Sequence, residues 1–97
     1  MLEEIHKFEK GTTIYFECLY RDIDGTPIDP ASPAWTIKNI QGNTVASGTP
    51  AKRKDGVWYF FWIAGNSGSF LLTFSGTIQS NQVIIRKRFG VRETTLK

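Results

Sequence analysis

The chain holds one cysteine, Cys18, and one histidine, His6, among 97 residues. A single cysteine excludes an internal disulfide. With a single histidine, any zinc cluster or Ser-His-Asp triad would have to pass through one N-terminal residue. Long apolar runs are also missing. The longest spans Val57 to Ala64, well short of the roughly 20 residues a membrane helix needs. Two acids, Glu3 and Glu4, follow the first residues where a signal peptide would carry an apolar stretch, so no secretory leader is expected. Glycine-rich phosphate loops are absent, since Gly65 and Gly68 fall in a hairpin-type turn and not between a strand and a helix. With no catalytic set in view, an enzyme is not expected, and neither is a cofactor.

What the chain has is aromatic and β-branched residues, too many for a disordered segment. At this length one domain, residues 1–97, with one hydrophobic core is the expectation. Net charge is a mild +3. The bases cluster in Lys52-Arg53-Lys54 and Arg86-Lys87-Arg88. No recognised nucleic-acid motif accompanies them, so they read as solvated strand and loop and nucleic acid is not an expected partner.

Period-2 alternation dominates, the signature of half-buried strands. Thr12–Tyr20 places Ile14, Phe16, Cys18 and Tyr20 on one face, and Tyr15, Glu17 and Leu19 on the other. Asp24-Gly25 makes a turn. Pro27, Pro30 and Pro33 then predict an extended crossing loop, because proline cannot donate to a ladder. Ala34–Ile40 is the second strand, with Trp35 and Ile37 inward. Gln41-Gly42-Asn43 turns into a short strand over Thr44–Ser47, and another is predicted near Pro50–Arg53. Val57–Ile63 is the most apolar strand: Trp58, Phe60 and Trp62 share the expected core face, and Tyr59 and Phe61 the opposite one. Ser69–Ser75 points Phe70, Leu72 and Phe74 inward, with the next bend expected at Gly76 and Ser80-Asn81. Gln82–Val91 points Val83, Ile85, Phe89 and Val91 inward, with Arg86 and Arg88 outward. Leu2–Phe8 reads as one helical turn or an edge strand. Residues 1–10 are expected to be an N-terminal extension, and 93–97 a flexible tail.

About seven short antiparallel strands with turns every 8–12 residues read as a single immunoglobulin-like β-sandwich, with a small barrel as the competing all-β architecture. The expected core is Phe16, Trp35, Ile37, Trp58, Phe60, Trp62, Phe70, Leu72, Phe74, Ile85 and Phe89.

Asp22-Ile-Asp24-Gly25 looks like the start of a calcium loop, but the twelfth position of an EF-hand counted from Asp22 is Pro33, which excludes that motif. Asp29 would have to close a different site, and a plain Asp-Gly turn is the reading adopted. Cys18 lies on the inward face and reads as a small buried hydrophobe. The aromatic run is more informative. A two-layer fold fills its core from one face of a strand, yet this strand is aromatic on both. Tyr59 and Phe61, with Arg86 and Arg88, are therefore the candidate interaction surface.

The order of these segments is familiar as a whole. A strand entered by Gly11-Thr-Thr-Ile leads to Arg21-Asp-Ile-Asp-Gly-Thr-Pro-Ile-Asp-Pro, then to a Trp/Ile strand closed by Gln41-Gly-Asn. Asp55-Gly-Val-Trp-Tyr-Phe-Phe-Trp, Ser67-Gly-Ser-Phe-Leu-Leu-Thr-Phe-Ser-Gly and Arg88-Phe-Gly-Val follow. This resembles the short Ig-like proteins encoded among the head, neck and tail structural genes of tailed bacteriophages and prophages. The resemblance implies a non-enzymatic virion component, a decoration, neck or tail accessory protein. It would be made in the host cytoplasm and bind capsid or tail proteins, or further copies of itself. The aromatic enrichment around Trp58–Trp62 departs from that pattern. Similar sandwiches serve as modules of bacterial adhesins, so a carbohydrate-binding or adhesive module is the alternative.

Overall fold

Strands account for the regular structure of residues 6–93, the part of the chain that the structure, a computed structural model, describes. They are β1 (His6–Glu9), β2 (Thr13–Leu19), β3 (Ala31–Asn39), β4 (Thr44–Gly48), β5 (Ala51–Lys54), β6 (Val57–Ile63), β7 (Gly68–Ile78) and β8 (Asn81–Arg92). Five of them form one sheet in the order β1-β8-β7-β3-β4, and three form a second in the order β2-β6-β5.

The all-β expectation is met, with two differences in the strand plan. Among the described residues there are eight strands where about seven were expected. They are not all antiparallel, because β1 runs parallel to β8, with His6 opposite Phe89 and Glu9 opposite Arg92. Within the stretch expected as an N-terminal extension, His6–Glu9 forms an edge strand, the second of the two readings of Leu2–Phe8, while residues 1–5 lie outside the described residues. Phe8 packs its ring edge-on against Phe16 and Phe89. The flexible tail expected at the other end lies, from residue 94 on, outside the described residues.

Alternation explains which side chains the two sheets trap. On β2, Ile14, Phe16 and Cys18 are buried, and Tyr20 just beyond its end is fully enclosed. From the facing sheet come Ile37, Phe70, Leu72, Phe74, Phe89 and Val91, all buried. Phe60 of β6 is buried as well, while Trp35, Trp58, Trp62 and Ile85 are partly buried and pack against this cluster. Each large apolar side chain removed from water contributes about 1.5–3 kcal/mol, so this layer supplies the main drive to fold. The Tyr20 hydroxyl would be costly to bury alone. It donates to the Ser75 carbonyl of β7 at 2.7 Å, which ties the end of β2 to the opposite sheet.

Two proline and glycine positions are used differently from expectation. β3 starts at Ala31 and includes Pro33, where a loop was predicted. A bulge between Ala31 and Ala34 takes Pro33 out of register with β7, and β4 pairs with β3 only from Trp35 onward. The missing N–H of Pro33 therefore costs no ladder bond. Similarly, of the bend expected at Gly76 and Ser80-Asn81, the Gly76 part is not met, since β7 runs through it to Ile78, while Ser80 does lie in the turn. A Cβ at Gly76 would sit 2.7 Å from the Pro30 Cβ, so this glycine serves close approach. The bend falls at Gln79-Ser80, with φ of 50° and 67°, between the paired residues Ile78 and Asn81. Positive φ at both central residues is the two-residue hairpin geometry that matches strand twist.

Candidate functional site

The outer face of the three-stranded sheet carries the aromatic surplus. Antiparallel pairing sets Tyr15 opposite Phe61, Glu17 opposite Tyr59 and Thr13 opposite Ile63. Cross-strand neighbours on one face lie close enough for ring contact. Tyr15 is 5.6 Å from Tyr59 and 5.3 Å from Phe61, centroid to centroid, and Tyr59 meets Phe61 edge-on at 5.9 Å. Tyr59 is half-buried by its neighbours, while the other rings of this face stand open. Phe61 is 59% exposed, Ile63 62% and Tyr15 44%.

A polar edge orients this patch. The Tyr15 hydroxyl donates to Glu17 Oε1 at 2.5 Å, and Arg53 Nη1 of β5 donates to the same oxygen at 2.9 Å. The bond from Tyr15, and then that from Arg53, hold the Glu17 carboxyl below its usual range. The same bond to Glu17 raises the Tyr15 hydroxyl. Solvent-exposed pairs of this kind add little stability. Their effect is to hold the Tyr15 ring in one orientation.

On the inner side of the same strand, Trp62 packs edge-on against Phe70 and Phe89. Trp58 donates its indole N–H to Asp29 Oδ1 at 3.2 Å. Asp29, once a possible closing ligand for a cation, also accepts from the Gly56 N–H at 2.9 Å and pairs with Lys52 at 2.6 Å. Its oxygens are committed to a clamp between the crossing segment and the β5–β6 turn. Asp22 caps its own turn, with Oδ1 accepting from the N–H groups of Asp24 and Thr26. Among the described residues, no three His, Cys, Asp or Glu gather as a metal site. Burial pushes the Cys18 thiol up to about 11, far from a reactive thiolate.

The four residues expected to form one interaction surface do not meet. Tyr59 and Phe61 lie on β6 and point away from the five-stranded sheet. Arg86 and Arg88 lie on β8, opposite Thr73 and Leu71, and point out from the other side. The reason is topological: β6 and β8 belong to different sheets, and each outward side chain turns its back on the opposing layer. Arg88 shares a cross-sheet row with Leu71 and Lys38, which line a shallow depression of about 230 Å³. Its Nε is buried without an acceptor among the described residues.

Sequence reasoning had placed Tyr15 on the outward face of its strand but had not joined it to the patch. Parity was visible, but the pairing of β2 with β6 was not. Lys87 was missed too, although alternation from Ile85 to Phe89 puts it on the inward side. Among the described residues, no helix is long and apolar enough to cross a membrane. Comparison with protein-family models and with curated proteins finds no match to this chain.

Proposed function

We propose that this chain is a non-enzymatic binding module that docks the Tyr15, Tyr59, Phe61 and Ile63 face onto another protein subunit. The observation that carries this reading is a contiguous, oriented and largely exposed aromatic cluster on an outer sheet face. Clusters of this composition make the energetic centre of protein interfaces.

The architecture proposed for it is immunoglobulin-like. The order β8-β7-β3-β4 beside β2-β6-β5 supports that reading, because it follows the variable-type layout in which an added strand flanks the GFC sheet and faces B, E and D. The proposed setting is a virion, as a head decoration, neck or tail accessory subunit of a tailed phage. That setting rests on the sequence resemblance. Many symmetry-related copies on a particle would turn a modest patch into firm attachment through avidity.

Purified particles test the proposal. The chain should copurify with intact virions, and Phe61→Asp should reduce its incorporation without lowering its thermal midpoint. Absence of the chain from dissociated virions sinks the virion setting. Unchanged incorporation of Phe61→Asp sinks the aromatic face. Quenching of tyrosine and tryptophan emission by a glycan would favour the carbohydrate-binding alternative.

A further inference from the structure

A cleft opens along the side of the molecule where the two sheets end, bordered by Tyr15 at the rim of the aromatic outer face and by Arg88. Phe8, Phe16 and Phe89 form its apolar floor, and Glu17 and Lys87 stand at its rim, around a volume of about 440 Å³. One wall is β2, the terminal strand of its sheet among the described residues. Which backbone groups of β2 face the cleft follows from its other side. Thr12 accepts from the Ala64 N–H, and the Tyr20 N–H donates to Gly56, so even-numbered positions turn toward β6. Antiparallel ladders alternate, so Thr13, Tyr15, Glu17 and Leu19 turn their N–H and C=O groups to the edge that no described strand pairs with.

One of those groups already has a visitor. Lys87 Nζ reaches across the cleft from β8 and donates to the Glu17 carbonyl at 3.2 Å. Lys87 sits opposite Leu72 on the inward side of its sheet, and it forms no ion pair among the described residues. The Glu17 carboxylate nearby is engaged by Tyr15 and Arg53. The cleft therefore combines a strand edge left unpaired among the described residues, an apolar floor and a lysine ammonium that holds a neutral carbonyl and feels the Glu17 carboxylate only at longer range.

We propose that this cleft docks an extended segment of a partner protein, which adds as a strand to the edge of β2. It places an apolar side chain over Phe8, Phe16 and Phe89 and a carboxylate on Lys87. Main-chain bonds supply affinity in this mode, and alternate side chains supply selectivity. The incoming N–H takes over the Glu17 carbonyl, and the released ammonium exchanges a neutral acceptor for a charged one, which makes the stronger bond. The lysine acts meanwhile as a plug that discourages indiscriminate edge pairing.

The test uses the full chain, labelled with ¹⁵N, and two capped hexapeptides, Thr-Val-Glu-Val-Thr-Val and its analogue with Gln in place of Glu. The expected result is saturable shifts and slowed amide exchange at Thr13, Tyr15, Glu17 and Leu19. The Glu peptide should bind about three- to tenfold tighter than the Gln peptide. Lys87→Met should abolish that preference while the thermal midpoint stays unchanged. Four results would each overturn the proposal. The first is no shift with either peptide at millimolar concentration. The second is shifts centred on Tyr59 and Phe61. The third is protection of the four amides in the free chain at every protein concentration, which makes the chain itself the occupant. The fourth is protection that grows with protein concentration alongside a dimer mass, which makes a second copy the occupant.

Discussion

The indole of Trp35 and the ring of Phe60 lie face to face, with centroids 3.9 Å apart and planes 2° from parallel. Trp35 belongs to β3 and Phe60 to β6, so this stack joins the two sheets. Its other flank is tight: a Cβ on Gly48 would fall 3.0 Å from the indole. Trp35→Ala and Phe60→Ala should each cost about 3–5 kcal/mol in urea unfolding. The double mutant should recover about 0.5–1.5 kcal/mol of coupling beyond additivity. Strict additivity would mean that the rings act only through separate burial. Phe60→Leu gives a milder second probe if the alanine variants fail to fold.

Trp58 and Tyr59 are adjacent in sequence and opposite in environment. The first packs against the core and donates to Asp29, and the second lies on the outer patch. Trp58→Ala should therefore cost several kcal/mol, and Tyr59→Ala roughly 1 kcal/mol or less. Equilibrium denaturation of the two variants decides the matter, and a reversed order would exchange core and interaction face.

Gly56 stands at a positive φ of 78° in the β5–β6 turn, and a Cβ there would meet the Tyr20 carbonyl oxygen at 2.8 Å and Pro27 Cβ at 2.9 Å. The obstacle includes backbone, which cannot swing aside. Gly56→Ala should lower stability by about 2–4 kcal/mol, from left-handed strain and crowding together. A loss below about 1 kcal/mol in thermal unfolding would show that the turn relaxes freely.

The β7–β8 turn invites the opposite change. Gln79 and Ser80 occupy left-handed conformations that asparagine and glycine adopt at less cost. Combined Gln79→Asn and Ser80→Gly should raise stability by about 1–2 kcal/mol. An unchanged or lower denaturation midpoint would count against a strained turn.

The clamp at Asp29 has a pH signature. Its carboxyl is held below the ordinary value, first by the Gly56 N–H and then by Lys52. The unfolded chain therefore takes up this proton at higher pH than the folded one. The stabilisation is complete above the ordinary carboxylate value of about 4 and is lost as pH falls through the lower folded value. In thermal scans, Asp29→Asn should be less stable than the parent at neutral pH, with the gap narrowing below about pH 4. A gap of constant size down to strongly acidic pH would remove the carboxylate from the account.

Much of the strand plan is legible in the chain, because period-2 alternation is local. Ile14, Phe16 and Cys18 announce their common side without knowledge of any neighbour, and so do Phe70, Leu72 and Phe74. Proline and glycine were harder to read. Pro33 looks like a strand breaker until the bulge that accommodates it is seen, and Gly76 looks like a bend until Pro30 is found against it. Local chemistry says what a residue permits, and only the neighbour decides which permission is used.

The sequence by itself determined that the chain is all-β, that a single buried cysteine and a single histidine are its chief soft ligands, and that one strand is aromatic on both faces. Tertiary structure decided what that strand's surplus does. Pairing of β2 with β6 joins Tyr15 to Tyr59 and Phe61 in one patch. Assignment of β6 and β8 to different sheets sends Arg86 and Arg88 to the far side. The ending of the small sheet at β2 leaves a cleft with Lys87 across it. Alternation fixes the side of a strand, but sheet order fixes what that side faces, and sheet order depends on contacts far apart in the chain.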